Sequence, residues 1–197
     1  MEKKLDFGQL LLNAVSLGLK NFPSLLGCLV LWILTIWIPY VNVGTTIAIV
    51  TLPAAISKGK IISPLEIFDK KYYKFMGEFF LVSGLRTLII FPAMLFLIVP
   101  GIVLSIAYSL STLLVVDKGK GASEALKLSN NLTYGNKWAI FLAQLVIGVS
   151  VLIVYSLLTW LWSPLGFIVL IFAMPIVLGL IANIYGQLAG DVPEEHI

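Results

Sequence analysis

Twelve lysines fall in three clusters, and between the clusters the chain is almost continuously apolar. Lys3, Lys4 and Lys20 precede the first long apolar stretch, Lys58 through Lys74 the second, and Lys118 through Lys137 the third. The turns at Pro39 to Gly44, Val99 to Gly101 and Ser163 to Gly166 carry no charge. Basic residues kept to one end of apolar segments orient membrane helices, so every lysine is placed on one side of a bilayer. A soluble domain carries charge on about a quarter of its residues; here the share is 12%, with 59% hydrophobic residues in 197 and a mean hydropathy of +1.02. The chain reads as an all-α, multi-pass integral membrane protein, and its net charge of +3 suits anionic headgroups better than nucleic acid.

Six apolar runs are predicted as transmembrane or partly penetrating helices: Ser24–Ile38, Val43–Ser57, Phe75–Val99, Ile102–Val116, Trp138–Trp162 and Phe167–Gln187. Those of about 15 residues reach only ~23 Å, short of a ~30 Å hydrocarbon core, so the first, second and fourth are expected to penetrate incompletely or thin the bilayer. An amphipathic surface helix is predicted before each hairpin. In the first, Asp6, Gln9, Asn13, Ser16 and Lys20 share a face opposite leucines and Val15. The second opens with Ser63-Pro64-Leu65-Glu66, a helix-start pattern, and puts Glu66, Lys70 and Lys74 on one face. The third, Ser123 to Thr133, puts Glu124, Lys127 and Asn131 opposite Ala125, Leu128 and Leu132.

Pro39, Pro100 and Pro164 recur at spacings of 61 and 64 residues, so one membrane domain, 1–190, divides into parallel repeats 5–60, 61–120 and 121–190, followed by a polar tail, 191–197. A six-span protein with short turns shows some of this regularity without any repeat. The lysine bias predicts a plasma-membrane protein with both termini cytoplasmic. Lys20, Lys70, Lys71, Lys74, Lys127 and Lys137 are the expected membrane-surface residues, with anionic headgroups as partners. No cleaved signal peptide is expected. Cys28 stands alone in the first run and reads as a small core residue.

The order Val99-Pro100-Gly101-Ile102, Val115-Val116-Asp117, Gly121-Ala122-Ser123-Glu124-Ala125-Leu126-Lys127-Leu128-Ser129 and Thr133-Tyr134-Gly135-Asn136-Lys137-Trp138 resembles the bacterial and archaeal membrane proteins related to the membrane domain attached to some glycerophosphoryl diester phosphodiesterases. In that family the hydrolytic chemistry sits on a separate soluble domain, absent from this sequence, so the resemblance implies membrane residence and no hydrolysis. Where the family often carries a basic residue after Pro-Gly, this chain has Ala107-Tyr108-Ser109, which leaves Arg86 as the one candidate to replace it.

Arg86 is the single charge deep in an apolar run, about 16 Å along it from Phe75. A charge at the bilayer centre costs about 2.5 to 3.5 kcal/mol on insertion scales, so it must face protein, water or a bound anion. Two readings stand: an arginine that staples the bundle through Tyr108, Gln144, Asn183 or free carbonyls, or a site for an anion or headgroup. Tyr108, Gln144, Asn183 and Tyr155 either hydrogen-bond between helices or line a pathway. Glu78 is expected to pair with Lys74, and Asp117 and Glu124 to act as interfacial caps. Gly179, Ala182, Gly186 and Gly190 form a small-residue stripe for close helix packing, within the bundle or against a second copy. Pro53, Pro92 and Pro175 are expected to kink their spans. His196 in the acidic tail is a poor metal ligand by itself. No catalytic, metal or cofactor constellation assembles, so the sequence predicts a non-enzyme. The leading expectation is a small transporter or channel-like component with an anion or headgroup site at Arg86; the alternative is a non-transporting lipid-binding or scaffold protein.

Overall fold

The structure, a computed structural model, describes residues 4–194, with the side chains of Leu165 and Phe167 left aside. Lys3, Glu195 and His196 lie outside the described residues. The described residues form helices and no strands: α1 Phe7–Lys20, α2 Phe22–Thr35, α3 Pro39–Ser57, a 3-10 turn Pro64–Phe68, α4 Lys71–Lys74, α5 Met76–Phe96, α6 Ile98–Ala107, α7 Ser111–Lys118, α8 Ala122–Thr133, α9 Lys137–Leu161 and α10 Leu165–Ala189. Five segments are long and apolar enough to cross a bilayer, and α1 with α2, bent by 66°, forms a sixth candidate. It is an all-α integral membrane architecture, built on three hairpins: α2–α3, α5–α6 and α9–α10.

The first two hairpins turn on one extended residue, Ile38 or Leu97, after which the next helix begins at once, and the third turns on extended Trp162, with Ser163 and Pro164 leading into α10. The Pro-Gly pair expected to make the middle turn lies instead inside α6. Pro100 occupies its first turn, where a missing N–H is tolerated, and Gly101 faces Met94, whose Cγ would lie 2.5 Å from an added Cβ. The glycine therefore serves close packing of α6 on α5, and the turn is displaced to Leu97. Large apolar side chains at all three tips, among them Trp37, Phe96 and Trp160, are exposed, as befits surfaces meeting lipid.

α10 is the central helix, packed against α1, α3 and α9. Its last half is buried and its first half presents Ile168, Leu170 and Phe172 outward. The small-residue stripe is used inside the chain. A Cβ at Gly179 would run into the Ala14 carbonyl, one at Gly18 into the Pro175 carbonyl, and one at Gly186 would sit 3.1 Å from Ser57 Cβ. α1 is therefore not laid on the membrane surface alone. Its Leu10, Ala14 and Gly18 stripe docks on α10, while Gln9, Asn13, Ser16 and Lys20 stay exposed beside exposed Leu12, Val15 and Leu19. Backbone contact across glycine and alanine gains dense packing that a surface helix forgoes. The bend at Asn21 is tied down, since its Oδ1 accepts from Ile62 N (3.2 Å) and its Nδ2 donates to Leu17 O (3.3 Å), and Pro23 restarts the helix.

The second polar segment also departs from expectation. Ser63 makes no side-chain cap, and the chain forms a 3-10 turn and the single turn of α4 in place of one amphipathic helix. Ile67 and Tyr72 are buried against Leu25, Cys28, Ile47, Ala48 and Leu52 of the first hairpin; this apolar burial folds the segment along α3. Tyr73 stacks on Tyr40 with centroids 5.0 Å apart and abuts Gly44, so a lysine-flanked segment reaches the turn end of the first hairpin. α8 is amphipathic as expected, with Glu124, Lys127 and Asn131 exposed. Its other face, Ala122, Ala125 and Ser129, is buried in the bundle core.

The predicted span Ile102–Val116 is broken into α6 and α7 at Tyr108–Leu110. The fully buried Ser129 closes the break: its Oγ donates to Ala107 O (2.7 Å) and accepts from Leu110 N (3.1 Å). Backbone groups freed inside a membrane protein need such partners.

Candidate functional site

Lys58, Glu78, Asp117, Lys118, Lys120 and Glu124 collect at the end of the bundle opposite the apolar tips. Leu5 N donates to Asn136 Oδ1 (2.8 Å), which brings the start of α1 beside the start of α9. Glu78 at the start of α5 accepts from Ala122 N (2.7 Å) and caps α8, whose own N-cap residue, Gly121, has no side chain to do so. That is its role in place of the predicted pair with Lys74.

The densest electrostatics join α3, α7, α10 and the segment after it. Lys58 Nζ reaches Asp117 Oδ1 at 2.6 Å and Glu194 Oε1 at 3.0 Å. Lys118 Nζ lies 3.7 Å from Asp117 and 3.9 Å from Glu194. The Tyr185 hydroxyl, on a side chain 1% exposed, donates to Asp117 Oδ2 at 2.8 Å. Asp117 thus ends its helix as expected but is also the hub of three helices. Burial disfavours the Lys58 ammonium, yet hydrogen bonds and attraction from Asp117 and Glu194 outweigh it and hold its pKa above the ordinary 10.5. Lys118 and Lys120 are buried, the latter 3.1 Å from Glu124. A cleft of about 110 Å³ beside this network is lined by Lys58, Lys60, Lys71, Glu66 and Asp117. Lys71 pairs with Glu66 at 3.1 Å, and both this contact and Asp69 raise its pKa against the cost of burial. Asp69 accepts from Lys71 N (2.9 Å), which holds its carboxyl below the usual range.

Arg86 lies on α5 two turns from Glu78, about 15 Å from the first residue of the helix. It continues the stripe Phe79, Val82, Arg86, Ile90, Ala93 that faces the bundle, and it is half-buried. Among the described residues no hydrogen bond or ion pair reaches it. Of the partners expected for it, Asn183 is occupied. Asn183 Nδ2 donates to Leu10 O (3.4 Å) and its Oδ1 accepts from Gln187 (2.9 Å), so it ties α10 to α1. Gln144 is exposed on α9, Tyr108 sits in the helix break, and Tyr155 packs by Gly166 at the third turn. Among the described residues no side-chain hydrogen bond joins Tyr108, Gln144, Asn183 or Tyr155 to one another or to Arg86. Of the expected surface lysines, Lys20, Lys70, Lys71, Lys74 and Lys127 are exposed and Lys137 is half-buried. Lys20 is at the α1–α2 bend, alongside the middle of α10, and so away from the other charges.

The sequence pointed to Asp117 but not to its partners Lys58 and Tyr185, which lie 59 and 68 residues away; an aromatic hydroxyl late in an apolar span was the available signal. Ser129 had none, because a serine on a polar-looking helix does not show which face it serves.

No family model matches the chain, and no solved structure matches it. Curated relatives are UPF0259 membrane proteins. That of Pectobacterium carotovorum (strain PC1) is 30% identical over 146 residues, 72% of this chain and 53% of the relative. That of Photorhabdus laumondii is 33% identical over 88 residues, 45% of this chain and 34% of the relative. That of Yersinia pestis (strain Pestoides F) is 30% identical over 115 residues, 58% and 44%. The chain spans about half the length or less of the relatives it matches.

Proposed function

We propose that this multi-pass membrane protein binds an anionic group, a phospholipid headgroup or a small anion, at Arg86. The observation that carries this is a guanidinium on the bundle-facing stripe of an apolar helix with no acceptor among the described residues. An uncompensated buried charge is costly, and an anion removes that cost while being held by a planar five-donor fork. Lipid binding is favoured over conduction within one chain, because Asn183 is taken up by Leu10 and Gln187 and Gln144 is exposed on α9. The second reading, a small transporter or channel-like component, is supported by the inward placement of Arg86 in a span. Self-association for that role must use surfaces other than the α10 stripe, which α1 and α3 cover.

The protein is placed in the cell membrane with its charged end and both termini cytoplasmic, on the strength of Lys58, Lys60, Lys118, Lys120, Lys127 and Lys137. Kinship with the phosphodiesterase-linked membrane domain rests on the Val99 to Trp138 signature alone, and no catalytic step is assigned.

The test reconstitutes wild type, Arg86→Ala and Arg86→Lys in vesicles with anionic or neutral lipid and measures both retained lipid and anion flux. Loss of anionic lipid in Arg86→Ala, with wild-type folding and no flux in any protein, supports the lipid reading. Flux that vanishes in Arg86→Ala supports the transport reading. Unchanged lipid retention and absent flux in all three defeat both.

A further inference from the structure

Between α6 and α9 runs a groove of about 410 Å³, walled by Val99, Ile102, Val103 and Ile106 on one side and Trp138 and Phe141 on the other. We propose that it holds one acyl chain of an anionic phospholipid, with the phosphate on Lys137. The volume is within the ~300 to 1,000 Å³ of ligand pockets. From Val99 to Ile106 the wall offers about 10 Å of apolar length, enough for a chain segment and featureless to a polar solute.

All the polarity lies at one end. Lys137 lines the groove there, half-buried; its Nζ donates to the neutral Asn130 Oδ1 at 3.0 Å, and among the described residues no carboxylate pairs with it. Its charge is thus uncompensated, and no acid lines the groove. Tyr134 and Trp138, 67% and 77% exposed, flank the ammonium with a phenol and an indole N–H. These are groups that sit at headgroup level with one edge apolar and one wet. Trp138 is braced edge-on by Phe141 at 5.9 Å, and Gly135, left-handed at φ 77°, turns the chain from α8 into α9 so that Tyr134 and Lys137 meet at one rim. Lysine takes phosphate as a point charge, and a chain trailing from that phosphate enters the apolar trough without a turn. The site does not depend on Arg86, which is on α5.

The protein in mild detergent is supplied with equal phosphatidylglycerol and phosphatidylcholine, and retained lipid is counted by native mass spectrometry. Wild type should retain the anionic lipid at least about fivefold over the zwitterionic one, the size of effect one lysine provides near a membrane surface. Lys137→Ala should lower the count of retained anionic lipid by one per protein, and Val103→Trp, which fills the trough, should remove that same lipid while leaving any held at Arg86. Arg86→Ala should leave the groove lipid in place, so loss only in that variant overturns the groove while sparing the Arg86 reading. Equal retention of the two lipids by wild type, meaning annular lipid only, overturns it, as does displacement by millimolar inorganic phosphate. Should Val103→Trp not fold, quenching by chain-brominated phosphatidylglycerol decides. Wild type should be quenched more than Trp138→Phe, and equal quenching refutes the groove.

Discussion

Ser129→Ala offers the sharpest test of the broken helix. The hydroxyl is fully buried and makes two bonds, donating to Ala107 O at 2.7 Å and accepting from Leu110 N at 3.1 Å. Neither backbone group has its regular partner, because the α6 ladder stops and the α7 ladder has not begun. Each orphaned buried group costs about 1 to 3 kcal/mol, whereas single side-chain bonds in membrane bundles average about 0.6 kcal/mol and reach about 1.7. Two groups stranded at once place the loss near 2 kcal/mol. The internal control is Thr133→Ala or Thr51→Ala. These buried hydroxyls donate to the carbonyls of Ser129 and Ile47 four residues back, which already serve a helix ladder, so each should cost below about 1 kcal/mol. Equilibrium unfolding in mixed micelles, or steric trapping in bicelles, reads the three differences. If Ser129→Ala matches the threonine variants, the break is held by packing of α8 and not by the serine, and the argument fails.

Gly179→Leu should detach α1, because the new side chain meets the Ala14 backbone; a loss above about 2 kcal/mol is expected from overpacking, with hydrogen exchange rising in α1 before the rest of the bundle. Glu78→Ala should destabilise by about 1 kcal/mol, the worth of an N-terminal cap, while Glu78→Gln retains most of it; equal losses would remove the capping role. Lys58 has a folded pKa above the ordinary 10.5, so its contribution is complete below that value and is lost as pH rises through the folded one. An alkaline limb in a stability profile should therefore shrink in Lys58→Met, and an identical limb in both proteins would refute the pairing with Asp117 and Glu194.

How much of this could be seen in the sequence follows from what each pattern measures. Apolar runs located the hairpins, and Lys58, Lys118 and Lys120 the charged end, whereas Lys20 falls elsewhere and the Lys70 to Lys74 segment runs toward the first turn, since hydropathy responds to the environment that dominates a membrane chain. α3, α5, α9 and α10 lie close to their predicted runs. Placement of the amphipathic segments was not legible. The stripe in α1 combined glycine and alanine with leucines, and hydropathy does not separate a face that meets lipid from one that meets a backbone. Nor could the break at Tyr108–Leu110 be read, because its cause, Ser129, lies in another element. Arg86 was legible as an anomaly of depth, and its lack of a partner only as geometry. The Asp117 network joins residues that local spacing could not link.

The docking of α1 on α10 has a consequence for biosynthesis. The glycine of the first helix waits for a carbonyl about 160 residues downstream, which at ~5 to 20 residues per second arrives roughly 10 to 30 s later. Throughout that interval the Ala14 and Gly18 stripe lacks the backbone it packs against in the folded chain, and that seam closes only when α10 arrives. Ribosome-bound chains stalled before Leu165 should leave the first helix open to protease, and release beyond Ala189 should shield it.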